Sequence, residues 1–66
     1  MRDPNRIKTY CDMLATIWEM VPDWRLGQLI TNAYAAYYHE HGNDPFYIED
    51  EDFLSFLYSY ISKNKE

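Results

Sequence analysis

The sequence predicts an all-α fold, a compact three-helix bundle. Three observations lead there. Apolar residues recur at three- and four-residue steps through three separate stretches. Two breaks part those stretches, Pro22-Asp23 and Gly42-Asn43-Asp44-Pro45. And 66 residues leave room for one domain, 1–66, with no repeat, low-complexity tract or linker inside it.

The first helix is expected over about 4–20. Asp3 stands at the N-cap, and Pro4 fits the first helical position, whose N–H has no intrahelical partner anyway. Ile7, Tyr10, Cys11, Leu14, Ile17, Trp18 and Val21 form its apolar stripe, and Pro22 stops it. The second helix is expected over about 24–40, with Asp23 as N-cap and Gly42 just past its end. Its inward stripe reads Leu26, Leu29, Ile30, Ala33 and Tyr37. Gly27 costs about 1 kcal/mol relative to Ala in a helix, so a close crossing of two helices is expected there.

Asn43-Asp44-Pro45 is turn chemistry, and 46–48 is expected as a short extended segment tucked onto the core. The third helix is expected over about 50–62, capped by Glu49 or Asp50, with acidic groups in its first turn. Phe53, Leu54, Phe56, Leu57, Tyr58, Tyr60 and Ile61 cover most of its circumference, leaving Ser55, Ser59 and Ser62 as a narrow polar strip. Such a helix is either the central element or partly covered by another chain. The tail 63–66 is expected to fray.

Composition excludes several functions. Eleven acidic residues against six basic ones give a net charge of −5. Direct nucleic-acid binding needs the opposite balance, because neutralising phosphates takes a Lys/Arg surplus. Aromatic residues are 18% of the chain, too many for intrinsic disorder. No apolar run approaches the ~20 residues of a membrane span, and the N-terminal residues lack a signal-peptide core. The single cysteine excludes an internal disulfide and fits a reducing compartment, so the expected location is cytoplasmic.

The chemistry-bearing residues are few. His39 and His41 point to opposite sides of a helix and share a metal only if the helix ends before them, with Asp44 as a third ligand. No metal or cofactor is expected. The run Glu49-Asp50-Glu51-Asp52 lacks the alternating pattern and glycine of a calcium loop. It reads as a helix start, or, with Asp44, as an acidic patch facing a basic surface. Cys11 reads as a small buried hydrophobe, and no His-Asp pair stands ready to activate it or a serine. Gly27 and Gly42 are the only glycines, so there is no phosphate loop. Arg25 is expected to pair with the carboxylates that open helix 3. No catalytic residues are assigned, and the chain is read as a non-enzyme.

The string Arg6-Ile7, Trp18, Pro22-Asp23-Trp24-Arg25-Leu26-Gly27-Gln28-Leu29-Ile30, followed by Asp44-Pro45-Phe46-Tyr47-Ile48-Glu49-Asp50, resembles a set of very short uncharacterised proteins of bacteria and their prophages. It is more distantly similar to the YihD-like small bacterial proteins, which carry a longer C-terminal extension. The resemblance spans roughly residues 2–58. It implies a small, cytoplasmic, mostly helical protein. That group has no assigned activity, so no site residues transfer.

The expected function is a non-enzymatic protein-interaction module that self-associates as a homo-oligomer or docks on a partner protein. A core this small supplies only about 3–5 kcal/mol, which makes association a natural staple. Tyr34 and Tyr38 fall one turn apart and off the inward face, and with Phe56 and Tyr60 they form the expected interface. The alternative is a small, phage-encoded acidic inhibitor. It would present Asp44, Glu49, Asp50, Glu51 and Asp52 to a nucleic-acid-handling protein.

Overall fold

The computed structural model describes residues 2–64. It contains helices α1 (Arg6–Trp18), α2 (Leu26–His41) and α3 (Asp50–Asn64), with a single 3-10 turn at Pro45–Tyr47. The fold is the expected all-α three-helix bundle, with no strand among the described residues. Helix α3 packs against both α1 and α2 and is the central element.

The chain enters α1 through a capped turn. The Asp3 carboxylate accepts from the Asn5 N–H at 2.9 Å, and its carbonyl accepts from the Arg6 N–H at 3.2 Å. Asp3 therefore caps the turn around Pro4, while regular helix starts two residues later than expected. The helix also ends earlier. Met20 and Val21 donate to Ile17 and Trp18, tightening the last turn into 3-10 geometry.

Helix α2 starts differently from the expectation at Asp23. Asp23 lies in the preceding turn, and Arg25, in extended geometry, is the N-cap. The Gln28 side chain reaches back to accept from the Arg25 N–H at 3.2 Å. This is the returning arm of a capping box, and it satisfies a donor that the helix leaves orphaned. Gly42 closes the helix with φ +74°, its N–H bonded to the Tyr38 carbonyl at 2.8 Å.

Of the expected extended segment 46–48, only Ile48 is extended (φ −86°, ψ 161°) and half-buried. Pro45 sets φ for a 3-10 turn, and Asp44 caps it by accepting from the Phe46 N–H at 2.8 Å. The turn aims Phe46 and Tyr47 outward, 77% and 83% exposed. Helix α3 opens with the Phe53 N–H on the Glu49 carbonyl and runs past 62 to Asn64, whose side chain bonds the Tyr60 carbonyl at 2.7 Å. The expected fraying at Lys65 and Glu66 lies outside the described residues.

The core consists of Ile17, Val21, Leu29, Ala33, Tyr37, Leu54, Leu57 and Ile61. Leu29, Leu57 and Ile61 are its largest fully enclosed members. Four expectations of burial fail. Ile7 and Cys11 on α1 and Leu26 and Ile30 on α2 all face outward. The reason is geometric. Each helix turns one row to α3 while α1 and α2 scarcely touch each other, so Ile7, Cys11 and Ile30 line an open groove and not a sealed core. Gly27 is exposed as well. A Cβ there would meet nothing within 4 Å, so no helix of this chain crosses closely at that point.

Candidate functional site

Residues spaced by four on a helix stand in one row along its surface. In α2 the row Leu29-Ala33-Tyr37 is buried against α3. The neighbouring row, Leu26-Ile30-Tyr34-Tyr38, is exposed along its whole length, each side chain close to half accessible. No acidic or basic side chain, and no histidine, occurs from Leu26 through Tyr38. The result is a continuous apolar ridge on the outside of α2.

The ridge borders an open groove of about 370 Å³ between α1 and α2. Ile7, Cys11 and Leu14 form one wall, Ile30 and Ala33 the other, and Leu54 and Leu57 the floor. Phe46 overhangs the groove and also meets Tyr34 in a second hollow with Asp44, Pro45 and Phe53. Large exposed apolar area of this kind marks interaction sites on small proteins.

The tyrosine pair is ordered by its neighbours. The Tyr34 and Tyr38 rings stack with centroids 6.4 Å apart and planes 19° apart. The Asp44 carboxylate beside the Tyr34 hydroxyl, aided by partial desolvation, raises the Tyr34 pKa above the ordinary tyrosine value. Asp44 thus serves two structural ends, capping the 3-10 turn and facing α2.

The other expected interface residues lie elsewhere. Phe56 and Tyr60 stack on each other along α3, centroids 6.2 Å apart and planes 4° apart, and both are half-buried. Phe56 also meets Tyr37 edge-on at 5.2 Å and His41 at 5.8 Å. They belong to an internal aromatic cluster, with Tyr37 between them and the ridge. Leu26, Ile30 and Phe46 are the surface residues that sequence reasoning did not place at the site. The four-residue spacing of Leu26, Ile30, Tyr34 and Tyr38 was the available signal.

The acidic residues do not form one free patch. Arg6 Nε pairs with Asp50 Oδ2 at 2.9 Å, and Arg2 reaches Glu49 at 3.3 Å and Asp50 at 3.9 Å. Arginines of the N-terminal segment and α1 therefore fill the role expected of Arg25, which makes no ion pair among the described residues. Glu51 lies against Tyr10, whose pKa is raised first by desolvation and then by that negative charge. Asp52 is exposed.

The remaining candidates are dispersed. His41 tilts over the Tyr37 ring at 4.4 Å, and His39 is exposed. No three His, Cys, Asp or Glu side chains converge as metal ligands among the described residues. Among the described residues no helix is long and apolar enough to cross a membrane.

No protein-family model matches the chain, and neither a curated protein nor a solved structure matches it. The functional reading therefore rests on the geometry of this chain.

Proposed function

We propose that the chain is a non-enzymatic protein-interaction module whose contact face is the outer ridge of α2 and the groove beside it. The observation that carries this reading is the uncharged, exposed row Leu26-Ile30-Tyr34-Tyr38. A helix of an acidic protein would ordinarily turn charged or polar residues to water. Aromatic residues supply large, stiff contact area at low entropic cost, as interface anchors do. Tyr34 and Tyr38 stay in the proposed face. Phe56 and Tyr60 support it from behind, through Tyr37.

The acidic-inhibitor reading has less support. Arg2 and Arg6 already neutralise Glu49 and Asp50. Asp44, Glu51 and Asp52 are left to present charge to a basic surface.

A tagged pull-down washed at low and high salt separates the two. The expected result is a stoichiometric protein, another chain or a second copy, that survives high salt and is lost from the Ile30→Glu variant. Binding that is lost at high salt and untouched by Ile30→Glu would overturn the ridge in favour of the acidic surface.

A further inference from the structure

Resting on the reading of the α2 ridge as a protein-contact face, we infer that its occupant is a second copy of this chain. Two α2 helices would pair antiparallel about a two-fold axis.

The first argument is area. A compact monomer of 8.0 kDa exposes about 4,450 Å². This chain exposes 5227 Å². The surplus, on the order of 800 Å², matches what each partner loses in a standard-size interface. The shape agrees. The radius of gyration is 12.0 Å, against about 11 Å for a compact chain of this length. The molecule is flattened, with extents of 38 × 27 × 18 Å.

The second argument is charge. Two copies each carrying −5 repel one another unless they meet where charge is absent. Residues 26–38 are the longer of two long charge-free stretches, the other being 53–62 of α3, and basic Arg25 and acidic Glu40 flank it at opposite ends. Antiparallel pairing brings the Arg25 end of one copy to the Glu40 end of the other. It also opposes the two helix dipoles.

The third argument is self-complementarity. A two-fold interface needs a surface that matches itself when reversed. The ridge does so about its midpoint, with Leu26 against the partner's Tyr38 and Ile30 against the partner's Tyr34. In that register the partner's Tyr38 ring covers Gly27. Among the described residues nothing comes within 4 Å of a Cβ at Gly27, although a glycine inside a helix is costly. A neighbouring helix in close approach supplies the missing reason.

Sedimentation equilibrium of the full chain tests the inference, with helix content followed by circular dichroism. At about 100 µM, above the micromolar limit expected of a face this size, the wild type should be dimeric. Ile30→Glu and Gly27→Glu should both be monomeric with helix content intact. Gly27→Glu is the sharper variant, because it raises helix propensity and meets no atom of its own chain. Tyr58→Glu, on the exposed side of α3, should remain dimeric. A wild type that is monomeric at this concentration overturns the inference. So does a dimer that survives both α2 substitutions. If a monomeric wild type still captures another protein and Ile30→Glu abolishes the capture, the contact face stands and the second copy is excluded. If it captures nothing, both readings fall.

Discussion

The indole N–H of Trp18 donates to the backbone carbonyl of Trp24 at 2.9 Å. This bond spans the connection between α1 and α2, where Pro22 prevents any continuous helix. Val21 is buried beneath that turn, and Trp18 and Trp24 pack around the same end of the core. One side chain thus ties the end of α1 to the start of α2. Trp18→Phe keeps an aromatic ring and deletes the donor. The expected cost is about 1 kcal/mol, or up to ~3 if the Trp24 carbonyl finds no replacement. Urea denaturation monitored by circular dichroism reads it as a lower midpoint at constant slope.

Leu29 and Ile30 are neighbours with opposite fates, one fully enclosed and one half-exposed. Leu29→Ala should cost about 2–5 kcal/mol, comparable to the whole stability of a domain this size. Loss of cooperative thermal unfolding is the expected readout. Ile30→Ala, measured at concentrations low enough to keep the chain monomeric, should stay within about 1 kcal/mol of wild type. Equal destabilisation by the two would show that the buried row of α2 is misassigned.

The two glycines make a second contrasting pair. Gly42 adopts φ +74°, which an L side chain reaches only with strain, so Gly42→Ala should destabilise by about 1 kcal/mol. Gly27 has ordinary helical geometry and free space around it. Gly27→Ala should therefore stabilise the monomer by up to ~1 kcal/mol through helix propensity. Thermal melts of the two variants should move in opposite directions.

Tyr34 and Tyr10 should ionise above the range of an ordinary tyrosine, because negative charge and partial desolvation both oppose the phenolate. A folded pKa raised above the unfolded value favours the protonated state. Its stabilising contribution is complete below the unfolded pKa of about 10 and is lost as pH rises through the folded value. An alkaline titration followed by tyrosinate absorbance should show late-ionising tyrosines, and Asp44→Asn should bring Tyr34 back toward the ordinary range. An unchanged titration in Asp44→Asn would remove Asp44 as the cause.

The Arg6–Asp50 pair joins α1 to the first turn of α3 with both side chains about one-third exposed. Solvent screening limits its value to at most about 1 kcal/mol. A double-mutant cycle with Arg6→Met and Asp50→Asn should return a coupling of that size that shrinks at high salt. A coupling indistinguishable from zero at low salt would reduce the contact to an incidental one.

The sequence alone determined the features that depend on local chemistry. Pro22 and Gly42 punctuate the chain wherever they stand, because a ring-locked φ and a left-handed residue act on their immediate neighbours. Three apolar periodicities between them suffice for three helices, and the acidic excess is likewise a property of composition alone. Tertiary structure decided which apolar row each helix buries. Leu26-Ile30-Tyr34-Tyr38 and Leu29-Ala33-Tyr37 are equally apolar rows on one cylinder, and only the position of α3 selects between them. The same holds for Arg2 and Arg6, which reach Glu49 and Asp50 across more than forty residues of sequence while Arg25 does not. It holds for Phe46 as well, turned outward by the cap that Asp44 places on the 3-10 turn. Local propensity acts over a few bonds, but burial is a competition for a limited number of inward positions, and the packing of the helices settles it.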